Sequence, residues 1–127
     1  MNGSSQAGVS ERVFKTAWFS KAVRKAHIGD AELCSAFRQV MAGQADDLGG
    51  GVYKKRLGKN LYRSIIVARG CRYWVYVYLF AKKDRANIEA VELVEFREVA
   101  GLYSCKTDDE ISRQLNLNEL EEICNED

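Results

Sequence analysis

Two basic side chains two residues apart on a β-strand project to the same face, and Lys54 and Arg56 have that spacing within VYKKRL. Arg63 and Arg69 share a face of the next strand with Ile65 and Val67. On a third strand, Arg72, Trp74, Tyr76, Tyr78 and Phe80 alternate with Cys71, Tyr73, Val75, Val77 and Leu79. This pattern predicts one aliphatic face suited to helices and one aromatic, cationic face. Fixed cations hold phosphates and aromatic rings stack bases, which is how sheets take single-stranded RNA. Lys82-Lys83-Asp84-Arg85 adds charge where the third strand leaves the sheet, and Lys55 and Lys59 add more beside the first turn.

Any one of these cations is explained by solvation, or by the use of Lys and Arg to guard a sheet edge. As a set they point elsewhere: from Lys54 to Arg85 there are ten Lys or Arg against one acid, Asp84. The net charge of +1 conceals this, because residues 86–127 carry twelve acids against three bases. Either that acidic tail screens the basic strands within the molecule, or the strands face a polyanion and the tail lies elsewhere.

The elements that must position these residues are three strands joined by two tight turns, Leu57-Gly58-Lys59-Asn60 and Arg69-Gly70-Cys71. Upstream, residues 1–11 read as a disordered leader. Arg12 to Phe19 reads as a first strand, and Ser20 as the N-cap of a short amphipathic helix ending near Gly29. Asp30 is expected to cap a second helix, with Leu33, Phe37, Val40 and Met41 at helical spacing, and 46–51 to form a flexible hinge. Downstream, Asn87 opens a helix whose buried stripe reads Ile88, Val91, Leu93 or Val94, Val99 and Leu102, with Glu89, Glu92, Glu95 and Glu98 on the wet side and Gly101 as a possible early stop. Thr107 and Glu110 form a capping box for a further helix, and LNELEEI fits either a helical turn or an added edge strand. The expected architecture is α+β: a small antiparallel sheet, made of an N-terminal strand and the three-stranded meander, packed by two N-terminal helices and one or two C-terminal helices on one face.

At 127 residues the chain is long enough for one core, and residues 12–127 read as a single domain, with a capped extension from 105 onward. Cys34, Cys71, Cys105 and Cys124 stand far apart with one histidine, His27, so neither a zinc site nor a dense disulfide scaffold is expected, and free thiols in a reducing cytoplasm are. No apolar run has the length to span a bilayer. Ser/His/Asp and Cys/His catalysis find no motif, and Gly49-Gly50-Gly51 has neither P-loop nor dinucleotide spacing.

The order strand, helix pair, meander and terminal helix resembles the RelE/ParE superfamily of type II toxin–antitoxin toxins. VYKKRLGKNLYRSIIVA and YLFAKKDRANI are similar to a phage-associated RelE-like branch, over about residues 12–104, and the capped tail after Thr107 resembles it too. The resemblance implies ribosome-dependent cleavage of mRNA by attack of the ribose 2′-OH on its own phosphate, with no metal and no cofactor. It implies a cytoplasmic toxin that a cognate antitoxin of helix-turn-helix type inactivates. It places Lys54 at the general base, Arg56 at the second basic position, Arg63 at the arginine of the next strand, and Lys83 where a transition-state arginine is common. Lys55, Lys59, Arg69, Arg72, Tyr78, Phe80, Lys82 and Arg85 are then the expected RNA-binding residues. The chain departs from the pattern at Glu89, where well-known members have a tyrosine, and at Lys83, which lacks the fork of an arginine. ParE toxins share this fold and act on DNA gyrase without nuclease chemistry. The resemblance therefore also admits a gyrase-directed toxin, or a non-toxic RNA- or antitoxin-binding relic of phage origin.

Overall fold

Thr16 decides where the first strand ends. Its hydroxyl accepts the Phe19 amide at 3.1 Å, satisfying one of the donors that a helix start leaves open. In the computed structural model, which describes residues 11–70 and 73–125, strand β1 (Arg12–Thr16) therefore stops three residues before the expected Phe19. Helix α1 (Ala17–Lys25) follows at once, with Thr16 rather than Ser20 as its cap, and buries Phe19 and Val23, four apart on one face. Gly29, not Asp30, is the cap residue of α2 (Asp30–Met41). Asp30 instead receives the ammonium of Lys15 at 2.7 Å.

The expected hinge at 46–51 is an edge strand and a turn. Strand β2 (Asp46–Gly49) pairs antiparallel with β3 (Val52–Leu57). The turn between them packs under Arg97: a Cβ at Gly50, whose φ is +66°, would stand 2.7 Å from Arg97 Cγ. The meander itself is as expected, β3 pairing with β4 (Tyr62–Val67) and β4 with β5 (Tyr73–Ala81). Helix α3 (Ala90–Ser104) begins three residues after Asn87, because Glu89 and Glu92 form a reciprocal cap, and it runs through Gly101. Thr107 caps α4 (Asp108–Asn116) as read, and the last piece resolves as strand β6 (Leu120–Ile123). The sheet order is β2-β3-β4-β5-β1-β6; β1 runs parallel to β5 and every other pair is antiparallel.

Helices cover both faces of this sheet, not one. Phe19, Val23, Leu33 and Val40 of α1 and α2 pack on Ile66, Trp74 and Tyr76. On the other face, Ala100, Tyr103 and Ile111 of α3 and α4 pack on Phe14, Val52, Ile65, Val67 and Val75. Each large apolar side chain taken fully out of water in these layers contributes about 1.5–3 kcal/mol. Of the expected stripe, Ile88, just before α3, and Leu93 and Val99 within it pack on the sheet side together with Phe96, whereas Val91, Val94 and Leu102 are exposed.

A β-bulge explains why the aromatic face is not continuous. Ile65 pairs with Tyr78 but Ile66 pairs with Tyr76, which leaves Val77 as the extra residue. Trp74 and Tyr76 therefore lie under α1 and α2, while Tyr78 and Phe80 turn to the α3 side. Tyr76 is fully buried, donates to the Leu33 carbonyl at 2.7 Å, and burial holds its phenol well above the ordinary range.

Cys34 and Cys124 form a disulfide across 90 residues of sequence, tying α2 to the segment after β6, where free thiols were expected. The chain distance hid this pair; the sheet brings its last strand beside β1 and α2 closes over it. Cys105 is free and exposed, and Cys71 lies outside the described residues, as do the leader residues 1–10. No described helix is long and apolar enough to cross a membrane.

Candidate nucleic-acid interface

The register of β3, β4 and β5 lays out two same-face rows on the face against which α3 packs. The first reads Lys54, Ile65, Tyr78, and the second Arg56, Arg63, Phe80. With strands about 4.8 Å apart, the outer members of each row stand about 10 Å apart at their Cα atoms, a span long basic side chains can close over a phosphate. Lys54, Arg56 and Arg63 line one shallow depression of about 190 Å³ together with Lys55.

Each cation of this group is held differently. Lys54 Nζ donates to Asn87 Oδ1 at 3.2 Å and lies 3.7 Å from Asp46 Oδ2. Arg63 donates to the carbonyls of Asn60 and Tyr62, both at 3.1 Å, which fixes its guanidinium against the turn. Arg56 is exposed, and among the described residues neither it nor Arg63 forms an ion pair. Lys55 points to the other face and donates to the Gln44 carbonyl at 2.9 Å. Burial and then the charge of Arg56 draw the Lys55 ammonium below its ordinary range.

The remaining expected residues divide. Arg85 donates to Glu92 and, at 3.2 Å, to the Tyr78 hydroxyl, and it covers the Phe80 ring at 5.5 Å from the ring centre. That pairing holds the guanidinium well above its ordinary range. Phe80 is only 6% exposed beneath it, so its ring is not an open stacking surface. Lys83 is not gathered with Lys54, Arg56 and Arg63; it lines the neighbouring groove between α1 and the end of β5. Lys59 is exposed in the β3–β4 turn with φ of 56°, and Lys82 is exposed just after β5, its amide bonded to the Leu61 carbonyl. Arg69 stands six residues from Arg63, about 20 Å along the strand direction, and packs against Gly51 and Gly101 at the far end of α3. Arg72 lies outside the described residues. Glu89, at the position of the family tyrosine, is the N-cap residue of α3.

The structure also brings in residues that the sequence reading passed over. Trp18, Lys21 and Lys25 line the groove that holds Lys83, and Asn87 and Asp46 hold Lys54. A helix starting at Ala17 places Trp18, Lys21 and Lys25 at i, i+3 and i+7, on one face. Reading Arg12 to Phe19 as a strand erased that stripe.

A six-stranded sheet with helices on both faces and cations on adjacent strands defines a small α+β domain. The model of the RelE toxin of the RelE/RelB toxin–antitoxin system matches residues 11–123, and the chain belongs to that family of toxins, whose partner is an antitoxin. No curated protein matches the chain.

Proposed function

We propose that this toxin is an endoribonuclease that cuts messenger RNA in the ribosomal decoding site. The observation that carries the reading is the convergence of Lys54, Arg56 and Arg63 on one depression across β3 and β4. In the reaction, the ribose 2′ oxygen forms a bond to the adjacent phosphorus and the bond from phosphorus to the 5′ oxygen breaks, leaving a 2′,3′-cyclic phosphate and a 5′ hydroxyl. Lys54 takes the 2′-OH proton. Arg56 and Arg63 hold the non-bridging oxygens, where charge accumulates in the transition state. Tyr78 shares the row of Lys54, and because its oxygen accepts from Arg85, its own O–H remains to protonate the leaving 5′ oxygen. Lys83 adds charge from the adjoining groove.

A depression of about 190 Å³ is too small to enclose a nucleotide. The alignment of attacking oxygen, phosphorus and leaving oxygen must then be imposed from outside, which favours RNA held by the ribosome over free RNA. The antitoxin, a helix-turn-helix protein in this reading, would bring acidic or apolar groups to the same cations in the cytoplasm.

Expression of the toxin should arrest growth, and primer extension should show cuts in translated messages only. Lys54→Ala with Arg56→Ala should abolish both, lowering cleavage by at least about 10³-fold. Undiminished toxicity of that double variant would refute the site. Inhibition of gyrase supercoiling without any cut message would refute the reaction.

A further inference from the structure

The groove between α1 and the end of β5 has a volume of about 640 Å³, and the proposed reaction uses only its Tyr78 and Lys83. Trp18 is 51% exposed, an unusual state for so large an apolar ring, and it is stacked on Tyr78 at 5.2 Å with 23° between the planes. Lys21, Lys25 and Lys83 surround it, and Asp84 is the one carboxylate among the groove's lining residues. None of the three lysines forms an ion pair among the described residues. Tyr78 lines this groove, carries Trp18, and shares a strand row with Lys54.

We infer, building on the reading of the chain as an RNA-directed toxin, that this groove is a second RNA subsite, in which Trp18 stacks a base of the single strand flanking the cut and Lys21, Lys25 and Lys83 hold its phosphates. An exposed ring that already has one face supported is a preformed stacking platform, since only its outer face remains to be covered. The cations beside it match the ligand's charge, and one carboxylate against three ammonium groups excludes an acidic-to-basic match with a cationic peptide. Phe80 cannot serve, being closed off by Arg85.

The chain has two tryptophans, and Trp74 is buried at 5% exposure, so a change in emission on binding reports Trp18 while Trp74 reports the fold. A short single-stranded RNA, 2′-O-methylated so that it is not cut, should quench Trp18 saturably. In Trp18→Ala, and separately in Lys21→Ala with Lys25→Ala, affinity measured by anisotropy of labelled RNA should fall about tenfold or more. Lys54→Ala with Arg56→Ala should keep the quench although it no longer cuts. Affinity within about twofold of the parent in both groove variants would overturn the subsite. Emission that RNA leaves unmoved but a cognate antitoxin shifts would overturn it in favour of a protein ligand. Quenching by RNA with no translated message cut would remove the nuclease and leave the groove standing. Cut messages with an unmoved Trp18 would do the reverse.

Discussion

On β1, Arg12 makes two 2.9 Å bonds to the carboxylate of Glu122, and Lys15 lies 2.7 Å from Asp30 and 3.7 Å from Glu121. On β3 and β4, Arg56 and Arg63 are bonded to no carboxylate among the described residues. The residue types are the same and the surroundings are opposite. Strand β6 carries Glu121 and Glu122 against β1, so part of the acidic C-terminal third neutralises the N-terminal strand and not the meander. Among the described residues, the ion pairs that the acidic C-terminal third makes are with Arg12 and Lys15 of β1 and with Arg85, and Lys54 of the meander lies beside Asp46 instead. Paired cations at β1 hold the fold together, and unpaired cations on the meander remain available to a ligand.

The sharpest way to break that comparison is to remove cations from each region and read both stability and activity. Arg56→Ala with Arg63→Ala should lower message cleavage by at least about 10³-fold while changing stability by less than about 1 kcal/mol. Arg12→Gln should do the opposite, leaving cleavage near the parent level and lowering the melting temperature. Equal losses of activity from the two changes would show that the regions do not differ in kind.

A second change tests whether the β6 side is a scaffold. The disulfide closes a loop of 90 residues, and its loss should cost about 2–4 kcal/mol. Cys34→Ser with Cys124→Ser, or the parent protein in a strong reductant, should melt correspondingly earlier. Cleavage by the protein that remains folded should be unchanged, because neither cysteine lines the cationic depression. Third, Asp30→Asn leaves Lys15, only 8% exposed, with Glu121 alone at 3.7 Å. Since Asp30 is itself half exposed, the expected cost is about 1–2 kcal/mol, read as a lower melting temperature. An unchanged melting temperature would place the Lys15 pair among ordinary surface contacts.

How far the sequence carried the fold depends on whether a signal was local. The meander was legible because strand composition, glycine turns and alternation all lie within one stretch, and Thr107 with Glu110 announced α4 in four residues. Two things were not. The Val77 bulge needs the partner strand to be visible, and it reassigns Trp74 and Tyr76 to one face and Tyr78 and Phe80 to the other. The Cys34–Cys124 bond depends on β6 joining β1, a pairing across the whole chain. Of the candidate site, the common face of Lys54 and Arg56 was legible from their spacing, whereas their row with Arg63 needs the strand register and Lys83 takes its position from the turn after β5. Trp18 was lost to a one-turn error at Thr16, where a single hydroxyl converts the end of a strand into a helix.

The smallest effect tests the one place where the two regions touch. Arg85 is the described meander cation that a carboxylate of the C-terminal third holds, through Glu92. The Arg85 bond, and then the Glu89 amide, depress the Glu92 carboxyl below its ordinary 4.5. A depressed carboxyl contributes stability that is full above the unfolded value and is lost as pH falls through the folded one. The parent should therefore be more stable than Glu92→Gln at pH 6, and the gap should close as the pH is lowered toward 3. A gap that stays constant over that range would mean that the pair contributes nothing through its charge. The same substitution frees Arg85 beside Tyr78 and the cationic rows. If unpaired cations are what the meander offers a ligand, Glu92→Gln should bind single-stranded RNA slightly more tightly than the parent. The salt dependence of that binding should steepen by up to about 0.7 in log–log slope, the value of one added phosphate contact. An unchanged slope would show that Arg85 belongs with Arg12, as a cation of the fold.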